Sequence, residues 1–288
     1  MEINLNNITF IIVSFKSEKI IDECLKSLPK NSKIIVIENS NNYNLKKSLE
    51  LKYDNIEVLI SENNGMGASN NLGILKSETK FAYVLNPDVK FKKDTFENLI
   101  AAAVKITDFA ILTPINSDIK FPNFKILKQN KNINDSIISV DSIDGFSMLI
   151  NKEKFINQKF FDENIFLYLE NDDFCKRLRS KNENIYVVPK SKIHHLGGEA
   201  VDPRYDYEIE LSRNWHWMWS KFYFNRKHYG YLKALLSIFG NLISAKIKFL
   251  YFLITFNSYK RKIYQMRLSG LLNSIVGKKS FYRPKLKN

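Results

Sequence analysis

Two cysteines in 288 residues are too few for a disulfide framework, and Cys24 and Cys175 match no metal-binding spacing. Cys24 falls on the apolar stripe of an expected helix and reads as a small core residue. There is no H-E-x-x-H and no paired Cys/His spacing, so a stand-alone zinc site is not expected. Neither a G-x-G-x-x-G nor a P-loop occurs. The first ten residues, MEINLNNITF, lack the basic-then-apolar order of a secretory signal, which leads to the expectation of a cytoplasmic location. Acid is missing from one whole region. From Leu211 to Asn288 there are 16 of the chain's 44 Lys and Arg and none of its 30 Asp and Glu. The formal charge of +14 therefore belongs to the tail.

The part before the tail alternates. ITFIIVSF (8–15), KIIVIENS (33–40), IEVLI (56–60), FAYVLNPDV (81–89) and FAILTP (109–114) read as buried strands. Between them, EKIIDECLKSL places Ile20, Ile21, Cys24, Leu25 and Leu28 on one helical face, and a further helix is expected over 93–106. Strands alternating with helices imply an α/β fold with a mostly parallel, doubly wound sheet. Ligands of such sheets bind beyond the carboxyl ends of the strands, which marks Ser14-Phe15, Glu38-Asn39-Ser40 and Asn86-Pro87-Asp88 as neighbours. The expected organisation is a catalytic domain over 1–212 and a basic helical region over 213–288.

Inside the tail, YLKALLSIFGNLISAKIKFLYFLITF (231–256) is long enough to cross a bilayer. On a helix, Lys233, Ser237, Asn241, Ser244 and Lys248 share one stripe, while most other positions are Leu, Ile or Phe. A polar stripe flanked by Lys and Arg fits a helix lying in the membrane interface better than a span or a core helix.

Four constellations carry chemistry. Asp88 follows a buried strand, where a carboxylate can hold a divalent ion against a diphosphate, although Asn-Pro-Asp also serves as a turn. ENNGMGASNNLG (62–73) puts glycines and amides where a helix begins, which lets a ligand approach the backbone. SKIHHLGGEA (191–200) has two histidines beside a Gly-Gly, and an imidazole there can complete a metal site begun by Asp88. ENDDFCKR (170–177) sets Glu170, Asp173, Phe174 and Arg177 on one helical face; the acids are either helix N-terminal punctuation or the base of a transferase.

Taken in order, these pieces resemble the family 2 glycosyltransferases, and within them the bacterial rhamnosyltransferase-like branch. IENS is similar to the family's Asp-Asn-x-Ser step with Glu38 in the acid's place, and ENNGMGASNNLGI matches at Asn63, Gly65, Asn71 and Gly73. LNPDV resembles an Asp-x-Asp variant in which Asn86 replaces the first acid and Asp88 keeps the second. DGFSMLI and FDENIFLYLENDDFCKRL resemble the acceptor-side strand and the acidic helix. HHLGGEA resembles the His-x-Gly-Gly-x-Ser loop, with Ala200 for the serine, and points to His195 over His194. The resemblance implies a GT-A fold, a UDP- or dTDP-linked sugar donor, Mg²⁺ or Mn²⁺, inversion at the anomeric carbon, and a glycan or lipid-linked acceptor at an anionic membrane surface. It implies donor contacts from Val13, Ser14, Phe15, Glu38, Asn39, Asn63, Gly65, Asn71, Asn86 and Asp88, and metal ligation by Asp88 and His195. Asn171 stands where the family often has its catalytic acid, and an amide cannot take a proton at neutral pH. The base is then among Glu170, Asp172 and Asp173, or the site is inactive. Helix geometry favours Glu170, since Asp173 is placed to pair with Arg177.

Two other readings use the same features. A non-catalytic binder would engage nucleic acid or an anionic membrane through the tail, and the apolar run favours the membrane. A metal-dependent nucleotidyltransferase would need a basic phosphate-gripping loop near the N-terminus, where VSFKSEKI has only Lys16 and Lys19.

Overall fold

Ile8–Ser14 (β1) is buried at every position, as a central strand covered on both faces requires. Its side chains alternate: Phe10 and Ile12 enter one core cluster and Ile11 the other. The computed structural model of the chain describes residues 3–106, 108–118, 120, 122–126, 137–155 and 159–286. Within these, β1 pairs in parallel with Lys33–Glu38 (β2) and with Phe81–Leu85 (β4), and β2 with Ile56–Ile60 (β3). Helices Ile21–Ser27 (α1), Tyr43–Lys52 (α2) and Met66–Lys76 (α3) make the crossovers that parallel pairing needs. At Gly73 the helix α3 comes so close to β1 that an added Cβ would collide with the Ile11 side chain.

The other half of the sheet is mixed. After β4 come Val89–Phe91 (β5), the helix Thr95–Ile106 (α4) and Ile111–Asn116 (β6). Three two-residue strands follow, Phe124–Lys125 (β7), Ile138–Ser139 (β8) and Ser142–Ile143 (β9). Ser147–Asn151 (β10) runs antiparallel between β4 and β6. Ile185–His195 (β11) is parallel to β6 and antiparallel to β5. The long sheet thus has the path β3-β2-β1-β4-β10-β6-β11-β5. The parallel pairing expected from the alternation holds for β1 to β4. It gives way at β10, which runs antiparallel to both of its neighbours, and returns where β11 pairs with β6. Within β11 the register shifts between Val188 and Lys192, around Pro189, which has no N–H for the ladder. Beyond that bulge the strand reaches β5 with His195 opposite Val89.

Contacts divide the chain into two units, Met1–Asp162 with Asn171–Asp202, and Glu163–Glu170 with Pro203–Asn288. The helix Glu170–Arg179 (α5) begins at one of these divisions. The acid-free stretch from Leu211 and the expected domain edge at 212/213 both fall within the first helix of the second unit. That unit has three long helices: Asp206–Tyr229 (α6), Tyr231–Ile254 (α7) and Ser258–Ile275 (α8). Gly270 of α8 sits against the Trp215 carbonyl of α6, leaving no room for a side chain. Trp215 Nε1 donates to Ser269 Oγ (3.1 Å), and Trp219 Nε1 to the Lys278 carbonyl (3.0 Å).

Helix α7 buries only a narrow edge, Ala234, Ile238 and Ala245. Asn241 of the expected polar stripe accepts from Lys221 Nζ at 2.7 Å. On the opposite side Leu232, Leu236, Phe239, Ile243, Ile247, Leu250 and Ile254 form an exposed aliphatic and aromatic stripe at helical spacing. By length and composition α7 is able to cross a membrane.

Candidate active site

The register of the parallel strands sets the first wall of the site. Ser14 lies opposite Glu38, and Ile12 opposite Leu85, so the residues leaving β1, β2 and β4 emerge side by side. Val13 and Ser14 are buried and Phe15 is half-buried. Ser14 Oγ is buried with no hydrogen-bond partner. The Asn39 N–H donates to the Ser14 carbonyl (2.8 Å), and Asn39 Nδ2 donates to Ser69 Oγ (2.6 Å), which in turn donates to the Gly65 carbonyl (2.9 Å). Gly65 precedes α3 with φ +103, a conformation that glycine adopts without strain. Asn39 Oδ1 is left buried and without a partner.

Two residues expected to touch a donor have their polar groups engaged elsewhere. The Glu38 carboxylate accepts from the Ser40 N–H (3.0 Å), the Ser40 hydroxyl and the Asn42 N–H (2.8 Å), closing its own loop. Asn71 Nδ2 donates to the Phe161 carbonyl (3.0 Å) while its Oδ1 accepts the Phe161 N–H (2.9 Å), tying α3 to that segment. Asn63 and Asn86 are half-buried, and the Asn86 N–H donates to the Phe146 carbonyl (2.9 Å).

Asp88 is the most consequential of the placements. It is 1% exposed, and its Oδ1 is buried without a hydrogen-bond partner. His195 Nε2 lies 3.4 Å from that oxygen, in ion-pair range but not aligned as a hydrogen bond. The pairing of β11 with β5 brings it there, continued by the Leu196 N–H donating to the Asp88 carbonyl (3.1 Å). The imidazole stacks on Phe146, with ring centres 4.1 Å apart. His194 points to Ser117 instead, at 3.4 Å. Beyond the histidines, Gly197 and Gly198 take positive φ, and the chain returns to the loop after β1. There the Asp202 N–H donates to the Lys16 carbonyl (2.9 Å) and its carboxylate meets Lys19 at 3.0 Å.

Among the described residues no three His, Cys, Asp or Glu side chains gather as a metal cage. One carboxylate oxygen lacking a hydrogen bond and one imidazole nitrogen nevertheless fit a hard divalent ion whose other ligands are phosphate and water. A buried carboxylate oxygen without a hydrogen bond costs free energy unless a cation offsets it.

The acidic cluster resolves into four different settings. Asn171 Nδ2 donates to the Ile143 carbonyl (2.7 Å). Asp172 accepts from Ser142 Oγ (2.7 Å) and lies 3.3 Å from Lys125. Asp173 is fully buried and paired with Arg177 Nε at 2.9 Å, and Arg177 also donates to the Lys159 carbonyl (2.8 Å). Glu170, buried, is the first residue of α5. One further acid was not singled out from the sequence. The exposed Asp144 precedes β10, and the protein crowded around its carboxyl raises its pKa, with Lys125 opposing, Asp172 adding and His195 opposing. Its only sequence signal was its place in DGFSMLI, whose strand direction the sequence does not state.

Comparison with known proteins gives this arrangement a context. A model described as Glycosyl transferase family 2 matches residues 9–173. The low-salt glycan biosynthesis hexosyltransferase Agl10 of Haloferax volcanii is 26% identical over 200 residues, 63% of this chain and 64% of that protein. The chain thus spans just under two thirds of that relative's length. The rhamnosyltransferase WbbL of Escherichia coli is 26% identical over 210 residues, 62% of this chain and 79% of its own. A mannosyltransferase of Pyrobaculum calidifontis, solved with GDP-Man and Mn²⁺, superposes with a TM-score of 0.58 at 11% identity, covering 95% of this chain and 88% of that one. GalNAc-T7, solved with UDP, GalNAc and Mn²⁺, gives a TM-score of 0.53 at 14% identity, over 66% of this chain and 43% of that one. The fold is therefore of the GT-A type, a mixed sheet flanked by helices with further helices at the C-terminal end.

Proposed function

The chain belongs to glycosyl transferase family 2, and from that premise we propose that it is a metal-assisted, inverting hexosyltransferase. It moves rhamnose or another hexose from a UDP- or dTDP-linked donor to a hydroxyl of a surface glycan or lipid-linked acceptor. The observation that carries the reading is the buried Asp88 oxygen, lacking a hydrogen bond and facing His195 at the level where β1, β2 and β4 end.

In this mechanism Ser14 and Asn39 offer their unsatisfied oxygens to the nucleotide, while Glu38 and Asn71 shape the loops that carry them. Asp88 and His195 would hold Mg²⁺ or Mn²⁺, which would offset the charge of the departing diphosphate. Glu170 accepts the proton of the acceptor hydroxyl as that oxygen bonds to the anomeric carbon. The bond from that carbon to the diphosphate breaks on the opposite face, which inverts the centre. The role goes to Glu170 because it heads the helical face that Asp173 shares, and Asp173 is paired with Arg177.

The discriminating experiment is a panel of UDP-, dTDP- and GDP-sugars scored by thermal shift with Mn²⁺. A donor at a hundred times its Kd adds about 2.7 kcal/mol, a rise of roughly 5 °C or more. The rise is expected for a UDP- or dTDP-sugar and is lost with EDTA. A flat response across the panel, with no transfer detected, overturns the reading.

The same reading places the enzyme on the inner face of the cytoplasmic membrane, where a lipid-linked acceptor resides. The exposed stripe of α7, in a region with no acid, supports in-plane contact with anionic lipid. The full chain is expected to float with phosphatidylglycerol-containing vesicles. Phe239→Glu with Ile243→Glu, both at exposed positions, should weaken flotation by roughly a hundredfold or more, since each buried side chain is worth ~1.5–3 kcal/mol. Unchanged flotation by the double variant, or none by the wild type, removes the proposal.

A further inference from the structure

The backbone that leads into Glu170 is strained. Tyr168 (φ +68) and Leu169 (φ +67) are consecutive non-glycine residues in the left-handed region. Such a conformation is costly for a residue with a side chain and persists only where its surroundings impose it. Neither Tyr nor Leu has a side chain that favours this conformation locally, as Asn or Asp does. The segment must be held from outside.

The second unit contains the means. Phe166, buried, stacks on His216 with ring centres 4.3 Å apart, and the Arg283 guanidinium lies 3.9 Å from the Phe166 ring centre. Ser220 Oγ donates to the Leu167 carbonyl at 2.8 Å, and Tyr168 meets Trp217 edge-on at 5.5 Å. Ser220 and His216 are both fully buried. His216 is itself locked. Its Nε2 donates to the Tyr282 carbonyl (2.9 Å), which leaves Nδ1 to accept from Ser280 Oγ (3.0 Å). Burial pushes the His216 pKa down to about 3, so the neutral ring that this pattern needs is the form present. Arg283 donates to the Ser280 and Tyr282 carbonyls at 2.9 Å each. Ser220 of α6 thus holds the Leu167 backbone, while His216 and Arg283 hold the Phe166 ring and Trp217 meets the Tyr168 ring.

We infer that Ser220, His216 and Arg283 are positioning residues for the transfer: they impose the left-handed Tyr168–Leu169 pair and so fix where the Glu170 carboxylate points. This rests on the reading of Glu170 as the base. A turn released from that grip relaxes toward ordinary negative φ, which swings the first residue of α5, and a displacement near 1 Å of a reacting group can cost on the order of a hundredfold.

The test uses the full chain carrying Ser220→Ala or Arg283→Gln, with turnover of the panel's UDP- or dTDP-sugar and hydrogen exchange of the 163–170 peptide. Exchange in that peptide should quicken by roughly fivefold, the worth of one hydrogen bond. Turnover (kcat) should fall roughly tenfold or more while donor KM stays within about twofold, as loss of aim without loss of donor binding requires. In a Glu170→Gln background the same substitutions should cost less than about twofold, because residues acting through one group are not additive. Leu169→Asn, better suited to positive φ, should restore part of the Ser220→Ala loss. Arg283→Gln carries the test if Ser220→Ala fails to fold. Unchanged kcat or exchange in the variants overturns the inference, as does a full penalty in the Glu170→Gln background. Wild-type turnover by Glu170→Gln alone identifies the failure as that of the base assignment, and the inference falls with it.

Discussion

Asp88→Ala is expected to lower donor turnover by on the order of 10³-fold while leaving the fold as stable as before. Holding a divalent ion at a leaving diphosphate is worth several kcal/mol of transition-state charge stabilisation, and each 1.4 kcal/mol is about tenfold in rate. The second half of the expectation separates a functional carboxylate from a structural one. Asp88 Oδ1 makes no hydrogen bond, so its removal leaves no partner stranded at that oxygen. Deleting a buried polar oxygen of that kind removes a desolvation cost instead of adding one. A melting temperature at or above that of the wild type, with turnover lost and donor-induced thermal shift no longer dependent on Mn²⁺, is the signature. Retention of more than about a tenth of the turnover, or collapse of the fold, would falsify the assignment.

Glu170→Gln is expected to cost 10²–10⁴-fold in turnover, the usual weight of a general base, with little change in donor binding. The geometry of its neighbours is the argument. Asn171 spends its amide on the Ile143 carbonyl, and Asp173 is fully buried against Arg177, where losing the charge would strand the guanidinium. Asp172, held by Ser142 and Lys125, is the alternative base. Steady-state kinetics of Glu170→Gln and Asp172→Asn side by side decide between them. Wild-type turnover in the first, with the loss in the second, moves the role to Asp172.

Much of this was readable one segment at a time. The strand expected at 8–15 is β1 at Ile8–Ser14, and the helix expected at 93–106 is α4 at Thr95–Ile106. The Asp173–Arg177 pair follows from i, i+4 spacing, and the pair is present. The acid-free tail forms long helices, one with an exposed apolar stripe. Other features had no local signature. Nothing in IENS says that Glu38 closes its own loop and leaves Asn39 Oδ1 without a partner. Asn71 and Phe161 are 90 residues apart, so their paired hydrogen bonds were invisible in either stretch. Asp144 escaped notice because β10 is antiparallel, which puts the beginning of that strand beside the end of β4.

The sequence by itself determined the α/β class, the family, the order of the motifs and the separation of charge between body and tail. The class and the charge separation depend on periodicity and composition, which are local, and the family rests on the resemblance carried by the ordered motifs. The tertiary structure alone decided which distant groups meet: Asn71 against Phe161, Arg283 over Phe166, and the surroundings of a left-handed pair ahead of Glu170. Strand direction, register and the return of distant segments set those meetings, and residues far apart in the chain impose them against local preference.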